Sequence, residues 1–414
     1  VTSNAGCFCR ECIAKFRVYL KEHNIPLPDD AGPLETFDYR QYLLSKGYRD
    51  EDLLAFNGNK RWEIPLYRAY YDMHMASIEW IVRGISQHAK EYCRRTRGEE
   101  LPVSANLFQC YPVGDSCKKY CDILSGEKTD IRMRQDGWYR FACGWLNGKD
   151  CCFVEDPNQY IRDINDDVRN GVNDRFILFA IEPIAHGFHI AFPYGSWLQN
   201  QVKDAFWPDL RVLRKLGPWL DEHDNCLGKE HVADIAVLYD SASAYENNVS
   251  EPAVGGENTY NQVKPISLDG VKELGRQGAF SNQGNFGHFF RLVQDLSDRH
   301  VLYNVLFHSP DEPLTAERLA GYRTVVVPDA FLLDETASQA LAAFARSGGE
   351  VITLERRVPA LEHFAHYDRE SEPALADRLA AEKSAVDAPD SPLYSIDLRK
   401  TPEGPAEVLP YRNA

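Results

Sequence analysis

None of residues 227 to 414 is cysteine, although the chain carries eleven, the last at Cys226. That absence splits the 414 residues into two stretches of different chemistry and leaves the second without a thiol nucleophile. No run of 18 apolar residues occurs, which excludes a membrane span by length. Basic residues are in deficit, 46 against 62 acidic, and the net charge of −16 argues against nucleic acid or an anionic membrane as partner; a neutral ligand fits better. No G-x-G-x-x-G follows any strand-like segment, so a dinucleotide-binding fold loses its main support. The start at Val1 has no signal-peptide layout, and the chain reads as a fragment or processed product. An odd number of cysteines gathered in one half does not form a secreted disulfide framework. Reduced thiols with a few metal ligands fit better, which leaves the compartment unknown and favours the cytoplasm.

What is present is a globular composition, with 44% hydrophobic and 12% aromatic residues over a length that suits two domains and a tail. Ile13, Phe16 and Leu20 lie at helical spacing within residues 10 to 23. A polar stretch with Pro and Gly runs on to Pro65, and residues 66 to 97 form a long helical pattern that ends in Arg94, Arg95 and Arg97 before Gly98. Strands are predicted at 101–108, 120–126, 151–154 and 189–194, with helices at 138–146, 158–186 and 207–220 between and after them. Alternating strands and helices mean parallel βα units, here four in succession, and half of an eight-unit barrel is favoured over a small doubly wound sheet. Past Glu230 a second α/β pattern begins at 233–239. It continues with a helix at 286–299, strands at 301–307 and 323–327, a helix at 334–347 and a strand at 350–354. The expected domains are 1–230, 231–365 and a linker or truncated region at 366–414.

Loops at the C-terminal ends of barrel strands build the active sites of that fold. Glu155 directly follows Cys-Cys-Phe-Val, Glu127 takes the equivalent place one strand earlier and Asn106 the one before. Three polar side chains on successive strand ends converge on one pocket in such a barrel. The alternative for Glu155 is a solvated loop residue or a helix N-cap neighbour, and a structural reading is likewise the alternative for Glu127. Glu182 is a rival, but Phe176, Phe179, Ala180 and Ile184 recur at helical steps around it, so it belongs on a helix. Cys7, Cys9 and Cys12 place three thiolates within six residues before a helix, a spacing able to grip one tetrahedral zinc with a fourth ligand from elsewhere; three ordinary cysteines are the alternative. Among Tyr111, Tyr194, Trp197 and Trp207, Trp197 is the best candidate to stack on a sugar face.

Read in order, C-x-C-x-x-C before an amphipathic helix, Pro-Val-Ser-Ala-Asn106, Cys-Asp-Ile-Leu-Ser-Gly-Glu127, Phe-Val-Glu155-x-Pro and Ile-Ala-His186-Gly-Phe-His-Ile-Ala-Phe resemble the second half of the catalytic barrel in family 42 beta-galactosidases. Ile-Ala-Val-Leu-Tyr-Asp240, Tyr322-Arg-Thr-Val-Val-Val-Pro328 and Ser-Gly-Gly349-Glu-Val-Ile resemble that family's trimerisation domain. The resemblance covers roughly residues 5 to 360. It implies a partial (β/α)8 TIM barrel, strands five to eight with the first half missing, followed by a class I glutamine-amidotransferase-like, flavodoxin-like α/β domain. It implies further that Glu155 is the nucleophile of a retaining glycosidase, that Asn106 and Glu127 stand near the sugar, and that Cys7, Cys9 and Cys12 ligate a structural zinc. The general acid and a fourth cysteine are then expected upstream, and the assembly is expected to be a trimer. The family more often has Asp where Glu127 stands. The competing reading is a non-catalytic carbohydrate-binding or assembly protein on the same scaffold. An amidotransferase is disfavoured because that chemistry needs a cysteine in the second domain.

Overall fold

The computed structural model describes residues 7–48, 64–107, 114–128, 136–155, 166–191, 209–223, 231–247, 287–383, 394–401 and 404–412. Helix α1 (Arg10–Glu22) buries Ile13, Phe16 and Leu20, the face its spacing predicts. That face meets α2 (Tyr39–Ser45) and the start of α3 (Tyr67–Arg97), where the Tyr70 ring centroid lies 4.8 Å from those of both Phe16 and Tyr39. Within the stretch read as polar, Phe37, Tyr39, Tyr42, Leu43 and Ile64 supply much of this aromatic core. Helix α3 stops as expected at Gly98, whose φ of 72° is left-handed and costs glycine no Cβ clash.

Four strands follow: β1 (Ser104–Leu107), β2 (Ile123–Lys128), β3 (Cys151–Glu155) and β4 (His189–Ala191). They pair in parallel in the order β1-β2-β3-β4. Helices α4 (Asp115–Tyr120), α5 (Asp136–Leu146) and α6 (Asp174–Ala185) lie between them and α7 (Leu210–Glu222) follows. Sequential order, each βα unit laying its strand beside the last, is compatible with part of a barrel; a doubly wound sheet would reverse direction. One face carries the buried Leu124, Cys151 and Phe153; the other carries exposed Ser104, Asn106 and His189 with half-buried Ser125 and Cys152.

The helix expected over 158–186 is interrupted. Residues 158 to 165 lie outside the described ones, and Asn170-Gly171 ends a turn of helix in which the Val172 N–H donates to Asp167 O at 2.8 Å and Gly171 has φ 74°. Helix α6 is Asp174–Ala185, with Glu182 on it as expected; the structure also buries that residue.

The second sheet comprises β5 (Ile235–Asp240), β6 (Tyr303–His308), β7 (Thr324–Ala330), β8 (Glu350–Arg357) and β9 (Ala365–Tyr367), all parallel and ordered β6-β5-β7-β8-β9. In its own numbering this is 2-1-3-4-5, the flavodoxin-like doubly wound order. Helices α8 (Ser241–Asn247), α9 (Gly287–Asp298), α10 (Ala316–Leu319) and α11 (Glu335–Arg346) accompany it.

Helix α5 lies between the two sheets. Its Trp138 and Tyr139 meet Phe153 of the first sheet, while its Phe141 ring stands 4.8 Å from Tyr239 of the second. A Cβ on Gly144 would come within 2.9 Å of the Val305 carbonyl carbon, so only glycine allows this approach. One apolar core therefore runs from Leu124 and Phe153 to Val237, Val305 and Ile352.

Polar groups tie the same junction. Buried Asp136 accepts from Arg140 Nε at 3.0 Å and from the Ser297 hydroxyl, and stands 3.1 Å from His186 Nε2. Arg140 also donates to Tyr303 O at 2.9 Å and to His231 Nδ1 at 3.1 Å, a direction set by the permanently protonated guanidinium.

Within 366–414, read as a linker or truncated C-terminal region, the described residues include a helix and a strand pair. Helix α12 (Glu372–Lys383) buries Leu375, Ala376 and Leu379 in the shared core, and β10 (Tyr394–Thr401) pairs antiparallel with β11 (Gly404–Arg412). Its Ala-, Asp- and Glu-rich composition hid three apolar positions that suffice for a helix already resting on a sheet. Among the described residues no helix is long and apolar enough to cross a membrane.

Candidate active site

Asn106 is the third residue of β1, Glu127 the fifth of β2 and Glu155 the last of β3. Asn106 pairs with Ser125, Glu127 with Val154 and Glu155 with Lys128. At roughly 3.3 Å per residue, Glu155 stands one rung past Glu127 and three past Asn106, all towards the C-terminal edge of the parallel sheet. Position 127 alternates with Ser125 on the open face. Position 155 alternates with Phe153, the face covered by α5, and reaches the strand-end edge only by being the last residue of its strand. Trp197, with Tyr111, Tyr194 and Trp207, lies outside the described residues.

Cys152 and His189 pair across β3 and β4 and share the open face with Asn106 and Ser125. Sequence reasoning passed over both. Strict alternation from Asn106 would have found them once the strand pairing was fixed.

Apart from these strand ends, three thiols meet. The sulfurs of Cys7, Cys9 and Cys12 lie within 4.8 Å of one another. A tetrahedral zinc with bonds of about 2.3 Å asks for sulfurs about 3.8 Å apart, so a small closure seats the ion. The Cys12 N–H and the Cys7 thiol donate to the Cys9 sulfur at the start of α1 and lower its pKa to about 7. Burial pushes the Cys12 thiol up to about 12. The three residues thus fit three of four zinc positions. His74 of α3 stands against the same loop, its Nε2 accepting from the Cys7 N–H at 3.4 Å, and burial lowers its pKa and favours the neutral ring.

The C-terminal edge of the second sheet is also polar. His308 accepts the Leu314 N–H at Nδ1, which leaves its Nε2 to face Asp334 at 3.3 Å and Asp240 at 3.8 Å. Burial raises the Asp240 pKa. Asp329, at φ 50° on a bulge of β7, is gripped by Arg356 through two bonds of 2.8 and 2.9 Å. An aspartate locked to an arginine here supplies no thiol chemistry.

Taken together, the elements define an α/β protein of two parallel sheets with carboxylates at the strand ends of the first. No family model and no curated protein matches this chain. Among solved structures it is similar to the beta-galactosidase from Bacillus circulans sp. alkalophilus, with 16% identity, 84% of this chain and 49% of that chain covered, and a TM-score of 0.46. The beta-galactosidase from the psychrophilic Marinomonas ef1 gives 13% identity, 85% and 53% coverage and a TM-score of 0.47. The alpha-L-fucosidase isoenzyme 2 from Paenibacillus thiaminolyticus gives 12%, 81%, 42% and 0.37. The chain spans about half the length of the first two of these structures.

Proposed function

We propose that this chain is part of a retaining glycoside hydrolase, β-galactosidase-like, that cleaves terminal glycosides with Glu155 as nucleophile. The observation that carries the reading is the place of Glu155, last residue of the third of four sequential parallel strands, one rung past Glu127. In this chemistry the Glu155 carboxylate attacks the anomeric carbon while a carboxylic acid outside this chain protonates the leaving oxygen. Water, deprotonated by that same group, then hydrolyses the glycosyl ester and returns Glu155 as a carboxylate. Asn106 and Glu127 hold sugar hydroxyls, and Trp197 stacks on a sugar face. Cys7, Cys9 and Cys12 hold a structural zinc, which when bound ties the N-terminal loop to α1. A homo-oligomer, a trimer by resemblance, and a cytoplasmic setting complete the reading.

Glu155→Gln in the full-length protein abolishes turnover of an aryl glycoside; retained turnover rejects the assignment. A second reading, a non-catalytic carbohydrate-binding or assembly scaffold, draws on the alternation that gives position 155 the parity of Phe153. Under it, the wild-type protein binds sugar and turns none over.

A further inference from the structure

We infer that Gly126 and Phe153 form the positioning device of this site, a ring seated in a notch that sets where Glu127 and Glu155 stand relative to each other. The inference rests on the reading of Glu155 as nucleophile. The two residues are register partners on β2 and β3, one residue before Glu127 and two before Glu155. The Phe153 ring is buried and stands edge-on to three others: Trp138 at 5.1 Å, Tyr139 at 5.4 Å and Phe188 at 4.7 Å. Trp138 and Tyr139 belong to α5, which is itself wedged against the second sheet, and Phe188 precedes β4, so the ring is enclosed by elements that cannot retreat independently.

On β2 the glycine at position 126 leaves the room that the ring occupies. A Cβ there would fall within 2.7 Å of Phe153 Cδ1 and nearer still to Cε1. Gly126 does not have a positive φ, so space and not backbone conformation demands glycine. A flexible side chain would swing away from an added methyl. A phenyl ring boxed by three aromatic rings transmits the displacement to the backbone of β3 instead. Because the displaced rung is adjacent to position 127 and two residues before position 155, the shift moves the β3 backbone that carries the proposed nucleophile relative to the β2 position proposed to hold the sugar. Catalysis is sensitive to that scale: a misplacement of about 1 Å costs on the order of 100-fold in rate.

The test compares overpacking on the two sides of α5. In the full-length protein Gly126→Ala lowers kcat on an aryl glycoside by about 100-fold with KM changed less than about threefold. Gly137→Ala, whose Cβ would stand 3.0 Å from Val293 Cγ2, strains the opposite side more mildly, lowers Tm and leaves kcat unchanged. The double variant Gly126→Ala/Phe153→Leu clears the methyl and regains about tenfold of the lost kcat. Wild-type kcat in Gly126→Ala, or a loss no larger than that in Gly137→Ala, overturns the inference. If Gly126→Ala does not fold, Phe153→Leu carries the test: a fall in kcat with KM held supports positioning, and wild-type kcat overturns it. Glu155→Gln run beside these separates the two claims. Activity in Glu155→Gln defeats the functional reading itself, whereas an inactive Glu155→Gln beside a fully active Gly126→Ala defeats only the positioning role.

Discussion

Cys7, Cys9 and Cys12 show what a single residue type contributes when its partners are near in sequence. Their spacing predicts proximity because six residues that run into the first turn of a helix leave few ways to keep three sulfurs apart, and the structure brings them within 4.8 Å of one another. With the Cys12 thiol pushed up to about 12, zinc must displace a proton that this site holds tightly. Binding therefore strengthens as pH rises from about 6 to 8, and a competition titration with a chromophoric chelator at several pH values measures it. A pH-independent affinity contradicts a three-thiolate site. Gly126 and Phe153 are the opposite case, since nothing local in the sequence says that a ring on one strand fills the space above a glycine on the next. Asp136, Arg140 and His186 were hidden for the same reason: their contacts reach to Ser297, Tyr303 and His231, far along the chain.

Elements were legible where apolar spacing was regular. Helix α1 buries the three residues its periodicity selects, Arg94 to Gly98 end α3, and Glu182 sits on a helix. The failures share one cause, which is that tertiary contact overrode a weak local pattern. Residues 39 to 45 become α2 because Tyr39, Tyr42 and Leu43 find an aromatic core and Asp38 accepts from the Gln41 N–H at 2.9 Å. Asp38→Ala removes that cap and costs about 1 kcal/mol, readable as a fall in the urea midpoint with unchanged slope. Inside the helix expected at 158–186, Asn170-Gly171 is a turn dipeptide, and Gly171 takes a left-handed φ of 74° there.

The whole molecule is joined by α5. Strand β4 ends at Ala191 and β5 begins at Ile235, yet Trp138, Phe141 and Trp145 share one core with Tyr239, Phe289 and Val305. No composition shift could reveal this, because a helix apolar on both sides reads the same whether it covers one sheet or two. The sheets are accordingly predicted to unfold as one cooperative unit, read by calorimetry as a single transition. Gly144→Ala drives a methyl against Val305 and costs about 1–3 kcal/mol, lowering that one transition without splitting it. Two transitions, with only one moved, would mean the sheets are independent. The most direct measurement is covalent. After incubation of the full-length protein with a 2-deoxy-2-fluoroglycosyl inactivator, peptide mass spectrometry is predicted to find the sugar esterified to Glu155. A label on another carboxylate, or inactivation with no ester at all, contradicts the account.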